Sequence, residues 1–243
     1  ALSGRYVFGD FGSGRIWHIA RDTAPTRTVT APEAYASGLA IASFGEGIDG
    51  ELYVVDYGGN LFRLRAGTGG GGGTVPTQLS ATGCLSTSGL IPYAPVAGFW
   101  SDGATKERHL ALPNGTSIAL QADSDFDLPV GTVLVEHFSL ASRRVETRLF
   151  MRHTDGDWAG YTYEWNAQGT DATRVVGGKT VPVSGQNWVF PSEAQCLVCH
   201  TAAAGRSLGL ELAQLNAPFL YPQTGRTANQ VQTFDAIRLF SAP

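Results

Sequence analysis

Apolar and polar residues alternate in two similar stretches near the start of the chain, and a glycine-rich turn interrupts each stretch. Residues 6–19 match residues 52–64, so that Asp10 and Asp56 lie 46 positions apart. Each copy predicts a strand, a tight turn and a second strand, a spacing typical of a β-propeller blade of about four strands. We expect the two aspartates to cap their turns, because Asp readily accepts hydrogen bonds from its own backbone. Residues 1–66 are therefore predicted to be blade repeats of a larger propeller.

A run of glycines separates the repeats from the rest of the chain. Five glycines follow one another at 69–73. Such a segment buries no apolar surface and behaves as a flexible coil. Residues 67–80 are predicted to be a linker.

Beyond the linker the hydrophobic pattern indicates strands separated by short turns. Segments 132–138 and 145–153 alternate or run apolar over strand lengths, and Asp-Gly and Gly-Gly pairs mark turns between such segments. We expect a compact antiparallel β subdomain. Its aromatic residues are numerous enough either to pack a core or to form one wall of a haem site: Trp158, Tyr161, Tyr163, Trp165 and Trp188.

Near residue 190 the pattern becomes helical. Ser192 and Gln195 have the spacing of a capping box, which predicts a helix over 192–204. Residues 208–215 predict a short helix, and Thr227 with Gln230 predicts another, with Val231, Phe234 and Ile237 on one side. The expected fold class is mainly β with α: partial propeller blades, then a mixed β/α domain over 81–243.

Composition and net charge limit the class of protein and the kinds of partner that we expect. With 43% hydrophobic residues among 243, and no apolar run of membrane-spanning length, the chain has the composition of a globular protein. Its net charge of −4 argues against binding the phosphate backbone of a nucleic acid.

The strongest chemical signal lies inside the predicted helix. Cys196 and Cys199 are three positions apart and His200 follows directly. Two such thiols can each add across a vinyl group of a haem while the imidazole binds the iron, which is the pattern of c-type haem attachment. A zinc site would need more ligands, and the only other thiol is the distant Cys84; a thioredoxin-like disulfide would need a βαβ pattern. We predict one covalent haem c, with His200 as the proximal iron ligand.

No motif fixes the second axial ligand of the iron. Met151 is the only methionine, and it shares a predicted strand face with His153, two residues away. Met151 is the first distal candidate and His153 the second, although ordinary core packing and an exposed strand end are the alternative roles. His109, His137 and an open or water-bound position stay open as further alternatives.

Two other groups of residues have alternative interpretations. Cys84 is either a small buried thiol or half of a disulfide to a segment outside this sequence. Asp123, Asp125 and Asp127 alternate as calcium ligands do, but they lack the glycine and terminal glutamate of an EF-hand loop, which favours a solvated turn.

The N-terminal repeats resemble the closing blades of quinoprotein sugar dehydrogenases of the glucose/sorbosone type. The likeness is carried by Tyr6-Val7-Phe8-Gly9-Asp10-Phe11 with Ser13-Gly14-Arg15-Ile16-Trp17, and by Ser43-Phe44-Gly45-Glu46 leading to Asp49-Gly50-Glu51-Leu52-Tyr53-Val54-Val55-Asp56-Tyr57. Two repeats cannot close a ring of four to eight blades. The resemblance therefore implies pyrroloquinoline quinone only if the missing blades are present.

Residues 81–243 resemble a little-characterised family of bacterial c-type cytochrome-like proteins that can follow such a propeller. The matching stretches are Gly89-Leu90-Ile91-Pro92-Tyr93, Trp100-Ser101-Asp102-Gly103-Ala104, Val145-Glu146-Thr147-Arg148-Leu149, Trp158-Ala159-Gly160-Tyr161-Thr162-Tyr163-Glu164-Trp165-Asn166, and Phe190-Pro191-Ser192 with the haem motif and Leu208-Gly209-Leu210-Glu211. Since such families are matured after export, the resemblance implies a periplasmic or secreted protein, and a further haem domain in longer relatives.

Three functional hypotheses follow. In the first, the haem accepts electrons from a quinoprotein sugar or alcohol dehydrogenase propeller and passes them to a redox partner protein. In the second, the chain is a non-enzymatic electron carrier or scaffold within a multihaem assembly. In the third, the haem has an open distal position and acts as a peroxidase-like enzyme.

Overall fold

The computed structural model describes residues 5–12, 14–20, 35–36, 39–48, 50–64, 75–154 and 156–241. Most of the predicted linker lies outside these residues. At its C-terminal end, Leu79 begins a 3-10 helix (Leu79–Thr82) and is fully buried.

Two three-stranded antiparallel sheets form at the N-terminal end. The first contains β1 (Arg5–Gly9), β2 (Arg15–Ala20) and β3 (Tyr35–Ala36), and the second contains β4 (Ile41–Glu46), β5 (Leu52–Asp56) and β6 (Leu61–Leu64). The two copies of the repeat are the hairpins β1–β2 and β5–β6, which confirms the predicted strand, turn and strand. Ile16, Ile41 and Val54 pack in one cluster that both sheets share.

The turn of the second hairpin is held by the Asp56 carboxylate, as predicted. The backbone N–H of Ala40 donates to one carboxylate oxygen at 2.9 Å, and that of Gly58 donates to the other at 3.0 Å. Asp56 therefore satisfies backbone donors at the turn and has the capping role that its position suggested.

A six-stranded antiparallel sheet forms the centre of the rest of the structure. Its strands are β7 (Ile91–Tyr93), β8 (Thr105–Ala111), β11 (Val133–Leu140), β12 (Arg143–Arg152), β13 (Trp158–Trp165) and β14 (Ala172–Arg174), in the spatial order β14-β13-β12-β11-β8-β7. Three hairpins accompany it: β9 (Ala119–Leu120) with β10 (Phe126–Asp127), β15 (Lys179–Val183) with β16 (Gln186–Phe190), and β17 (Pro218–Tyr221) with β18 (Arg226–Asn229). The α-helices are α1 (Glu193–Cys199), α2 (Leu212–Leu215) and α3 (Gln230–Ala236).

The two faces of the central sheet have different partners. Side chains alternate along a strand, so Phe150 and its cross-strand neighbours Leu134 and Gly160 lie on one face, and Leu149 lies on the other. We call the first the helix face, because α1 packs against β13 there. We call the second the aromatic face, because its core includes Tyr161, Tyr163 and Trp165.

The expected mixed β/α haem domain is wrong. Strand accounts for 45% of the structure and helix for 11%, the helices are short, and the strands lie in several separate sheets that do not close. The helix expected over 192–204 ends at Cys199, because His200 leaves the helical region with φ −78° and ψ 58°. Ala202–Ala204 then form a separate 3-10 turn.

The other two expected helices are shorter or start later than the pattern suggested. Only Leu212–Leu215 of the segment 208–215 are helical. The last helix begins at Gln230 with Asn229 as its N-cap, because Arg226–Asn229 pair as a strand. No helix in the described ranges has the length and hydropathy to cross a membrane, as expected.

Candidate functional site

Helix α1 carries the Cys-Leu-Val-Cys-His motif, and its first turn forms as the sequence predicted. The N–H of Gln195 donates to Ser192 Oγ at 3.4 Å, and the N–H of Ser192 donates to Gln195 Oε1 at 2.8 Å, which completes the capping box. Glu193 accepts two hydrogen bonds from the Arg174 guanidinium, at 2.5 and 2.8 Å. These contacts tie the start of the motif helix to β14.

Cys196 faces the sheet and Cys199 faces outward. A Cβ atom added to Gly160 would overlap Cys196 Sγ, so the thiol packs directly on the backbone of β13. Burial raises the pKa of Cys196 to about 11, which keeps this thiol protonated at neutral pH. Cys199 is exposed, and both thiols are free.

We expect Gly160→Ala to lower the free energy of unfolding by about 1–3 kcal/mol, because the new methyl group would push α1 away from the sheet. Urea denaturation followed by tryptophan fluorescence measures the change. Gly98→Ala is the matched control, since a Cβ at Gly98 meets no atom within 4 Å. Equal losses of free energy of unfolding in the two variants would contradict the close packing of α1 on Gly160.

His200 is the C-cap of the helix, and its ring contacts a backbone carbonyl group and an aromatic ring. Its Nδ1 lies 2.5 Å from the carbonyl oxygen of Arg206, and its ring centroid lies 4.0 Å from that of Phe150. A carbonyl oxygen only accepts, so Nδ1 carries the proton and the lone pair of Nε2 is left for a metal. Burial lowers the pKa of His200, which favours the neutral form that binds iron, and the hydrogen bond to Arg206 opposes this shift.

The structure does not bring the distal candidates to His200. Met151 packs on the aromatic face with Leu149, whereas Phe150, the residue between them, contacts His200 on the helix face. His153 hydrogen-bonds Tyr161, also on the aromatic face, with 2.8 Å between Nε2 and the hydroxyl oxygen. The central sheet therefore separates both candidates from the imidazole of the motif.

The other two histidine candidates for the distal position also lie on the aromatic face. His109 is in register with Val135, and His137 is in register with Thr147. Their ring centroids are 5.9 Å apart, and His137 Nδ1 lies 2.7 Å from Thr147 Oγ1. Burial lowers the pKa of both rings, that of His137 to about 3. Both rings are therefore neutral core residues on the far side from α1.

A row of charged side chains, not anticipated from the sequence, lies on the helix face beside the motif. Arg108, Glu136 and Arg148 stand opposite one another on three neighbouring strands. Glu136 Oε1 lies 2.9 Å from Arg108 Nη2 and 3.8 Å from Lys106 Nζ. With Glu146, these five residues form what we call the charged row.

Glu146 is the buried end of the charged row. Its side chain is fully buried, and its two oxygens accept hydrogen bonds from Arg148 Nε at 2.6 Å and Nη2 at 3.1 Å. Trp188 Nε1 donates a third hydrogen bond at 2.9 Å. The sequence did carry a signal, because charges at alternate positions of β8 and β12 belong on one face of a sheet.

Two cavities border the segment that follows His200. One of about 370 Å³ lies between Phe99 and Leu208, and one of about 230 Å³ is lined by residues that include Trp158 and Arg206. Neither thiol lines these cavities. The outer side of α1 instead leaves Val198 64% exposed.

The motif has the residue types that hold a covalent haem, namely two free thiols and an imidazole whose Nε2 lone pair could bind a metal. In this structure Cys196 packs on Gly160 of the sheet, Cys199 faces outward, and neither thiol lines the two cavities above. Attachment of a haem to both thiols would therefore require α1 to move away from β13. The tautomer of that imidazole is set by a backbone carbonyl, as is usual for metal-binding histidines.

The other candidate residues from the sequence make contacts that give them structural roles. Cys84 is a buried free thiol of the aromatic-face core, and burial raises its pKa. Asp123 accepts a hydrogen bond from the backbone of Asp125, and Asp127 pairs with Arg152. Within the described ranges, no group of three or more His, Cys, Asp or Glu residues is arranged to hold a metal ion.

Comparison of the chain with protein-family models, curated proteins and solved structures found no match.

Proposed function

We propose that this chain carries one covalent haem c and passes single electrons. The observation that carries the proposal is the setting of His200. Its Nδ1 proton is engaged by the Arg206 carbonyl, so that Nε2 is free on the same turn as two free thiols. The likeness of 81–243 to a c-type cytochrome-like family gives this assignment its expected context.

Each residue of the site has a stated role in this proposal. Cys196 and Cys199 would each add their S–H across a vinyl group, forming one S–C and one C–H bond with no atom lost. Haem bound there would supply one-electron iron chemistry. Arg206 holds the His200 ring in orientation, and Phe150 packs against that ring.

The exposed side of α1 supports electron exchange with a separate redox partner protein. Leu197 and Val198 are exposed next to Cys199, so a partner protein could contact the motif helix on this side. We infer from the repeat hairpins and their likeness to quinoprotein blades that the electrons come from a sugar or alcohol dehydrogenase propeller. Pyrroloquinoline quinone would belong to blades beyond the two repeats, and the setting would be periplasmic or extracellular.

Cysteine variants produced together with a c-type haem maturation system test the proposal. We expect the unaltered chain to keep haem after denaturation, and the Cys196→Ala/Cys199→Ala double variant to lose it, because the thioether bonds are then impossible. Haem staining of a denaturing gel and the pyridine haemochrome spectrum measure this. Cys84→Ala is the matched control and should keep its haem. Haem-free protein from the unaltered chain under these conditions would contradict the proposal.

A peroxidase-like haem with an open distal position is the second candidate. It is favoured by the placement of Met151, His153, His109 and His137 on the aromatic face, away from His200. Carbon monoxide added to the reduced protein separates the two functions. A large spectral response would favour the open site, and low-spin bands that ignore carbon monoxide would favour electron transfer.

A further inference from the structure

We propose that the larger of the two cavities binds a primary ammonium group, held by Asp125, Glu211 and Ser207. The cavity has a volume of about 370 Å³ and lies between Phe99 and Leu208. None of these residues belongs to the Cys-Leu-Val-Cys-His motif, so the inference does not rest on the proposed haem function. The expected ligand is an alkylammonium ion, which either a free amine or a lysine side chain presents.

The backbone places the two carboxylates side by side. Asp125 and Glu211 are paired in an isolated antiparallel bridge. The N–H of Phe126 donates to the carbonyl oxygen of Leu210 at 3.2 Å, so the hydrogen bonds of the bridge flank this pair and do not join it. In a pair of this kind the Cα atoms are about 4.5 Å apart, and the two side chains lie closer together than in a hydrogen-bonded pair. Both acidic residues line the cavity.

The charge of this acidic pair is not compensated by the residues around it. Like charges directly opposite one another destabilise the pairing of two strands. In the ranges that the structure describes, no lysine, arginine or histidine lines the cavity, and neither carboxylate forms an ion pair or a hydrogen bond. Glu211 is the N-cap of α2, yet its side chain makes no capping hydrogen bond. Charge complementarity therefore predicts a cationic ligand.

Ser207 supplies a third acceptor and a separate indication of a ligand. This residue lines the cavity and is only 6% exposed, and its hydroxyl makes no hydrogen bond to another residue in the described part of the chain. A buried hydroxyl without a partner is costly. A primary ammonium group has three N–H donors. Two carboxylates and one hydroxyl offer it three acceptors.

The apolar residues of the cavity suit the alkyl stem of such a ligand. Phe99 and Leu208 line it, and the Phe99 side chain is 64% exposed. The backbone beside Phe99 is nevertheless fixed, because the N–H of Ala97 donates to Gln214 Oε1 at 2.9 Å and Lys106 Nζ donates to the carbonyl oxygen of Phe99 at 2.6 Å. An aromatic ring held in this way can cover methylene groups and attract a nearby cation.

A bare metal ion suits the cavity less well than an alkylammonium ion. No group of three or more His, Cys, Asp or Glu residues in the described ranges is arranged to hold a metal ion. A single ion would also leave the apolar surface of a cavity of about 370 Å³ without a contact. An ammonium group on an alkyl stem uses both the acidic and the apolar residues.

Calorimetric titration of the full chain with matched lysine analogues tests the inference. Nα-acetyl-lysine N-methylamide should bind. Nα-acetyl-norleucine N-methylamide keeps the four-carbon stem without the ammonium group and should bind at least about tenfold more weakly, because it makes no charge-assisted hydrogen bond. Butylammonium identifies the source of the ligand: an affinity equal to that of the lysine analogue indicates a free amine, and a lower affinity indicates a lysine side chain of a protein.

Variants of the acidic pair separate binding from folding. Asp125→Asn and Glu211→Gln should each weaken binding of the lysine analogue by about tenfold. Each should keep or raise the urea midpoint of unfolding, because it removes the repulsion between the two carboxylates. Asp235→Asn is the matched control, since it removes one negative charge at an exposed position of α3 that does not line the cavity. This control should bind the lysine analogue as the unaltered chain does.

Three results would overturn the inference. The first is equal binding of the lysine and norleucine analogues, or binding of neither amine. The second is an affinity of Asp125→Asn equal to that of Asp235→Asn. The third is a lower urea midpoint in both Asp125→Asn and Glu211→Gln, which would give the acidic pair a structural role. The titrations require no cofactor, so failure of the haem proposal would leave their outcome unchanged.

Discussion

Replacement of Arg148 by alanine is expected to lower the free energy of unfolding by about 3–5 kcal/mol. Arg148 donates two of the three hydrogen bonds that the buried Glu146 carboxylate accepts, and Trp188 donates the third. Without the guanidinium, the carboxylate stays in the core with no opposite charge on it. Burial already raises the pKa of Glu146, and the loss of Arg148 would raise it further.

Urea denaturation of Arg148→Ala at several pH values measures this loss and its cause. A carboxyl group whose pKa is higher in the folded state than in the unfolded state takes up its proton more readily when folded, so the deficit should be smallest in acid and grow as the pH rises. Arg143→Ala, at an exposed position of the same strand, should change stability by at most about 0.5 kcal/mol. A loss in Arg148→Ala below about 1 kcal/mol would mean that Arg148 does not neutralise Glu146.

A hydrophobic replacement tests whether the buried ion pair stabilises the fold at all. When both members of a buried pair are exchanged for apolar residues, stability is often kept or increased, because no charge is left without a partner. Glu146→Leu/Arg148→Met should therefore recover most of the stability that Arg148→Ala loses.

Local signals in the sequence predicted the parts of the site that depend on neighbouring residues. The capping box at Ser192 and Gln195 involves residues three apart, and the hairpins of the repeats involve turns of a few residues. Such features depend on residues that are close together in the sequence, so the sequence predicts them well. The helix expected over 192–204 failed because His200 is turned out of the helix by its bond to Arg206.

The parts of the site that depend on tertiary structure were not predictable in this way. The alternation of side chains along a strand correctly predicted that Met151 and His153 share one face of the sheet. It could not predict that α1 packs on the opposite face, against Phe150. The charged row likewise depends on β8, β11 and β12 being neighbours in one register. Strand order is set by packing of the whole sheet and has no signature in any one strand.

A loss of stability on mild acidification is the second large effect that we expect, and His137 is its main source. This side chain is fully buried, and burial lowers its pKa to about 3, with the positive charge of Arg144 and neighbouring His109 acting in the same direction. Since the unfolded chain takes up the proton near the ordinary pKa of about 6.5, stability falls as the pH drops from about 6.5 towards 3. About 2 kcal/mol should be lost by pH 5, before most carboxylates titrate.

The contacts of His137 explain why the ring cannot accept a proton in place. Nδ1 faces Thr147 Oγ1 at 2.7 Å, and the same hydroxyl accepts a hydrogen bond from Trp165 Nε1 at 2.8 Å. Nε2 is buried and has no hydrogen-bond partner among the residues that the structure describes. A second ring proton would add a charge with no compensating acceptor, which is costly in a core.

Denaturation of the unaltered chain and of His137→Gln between pH 7 and pH 5 measures this contribution. The slope of the free energy of unfolding against pH is proportional to the number of protons taken up on unfolding. Near pH 5, the slope for His137→Gln should therefore correspond to about one proton fewer than the slope for the unaltered chain. His109, whose pKa burial also lowers, should account for part of the slope that remains. Equal slopes in the two proteins would show that His137 is protonated in the folded state, and the aromatic face would then have to open to water as the pH falls.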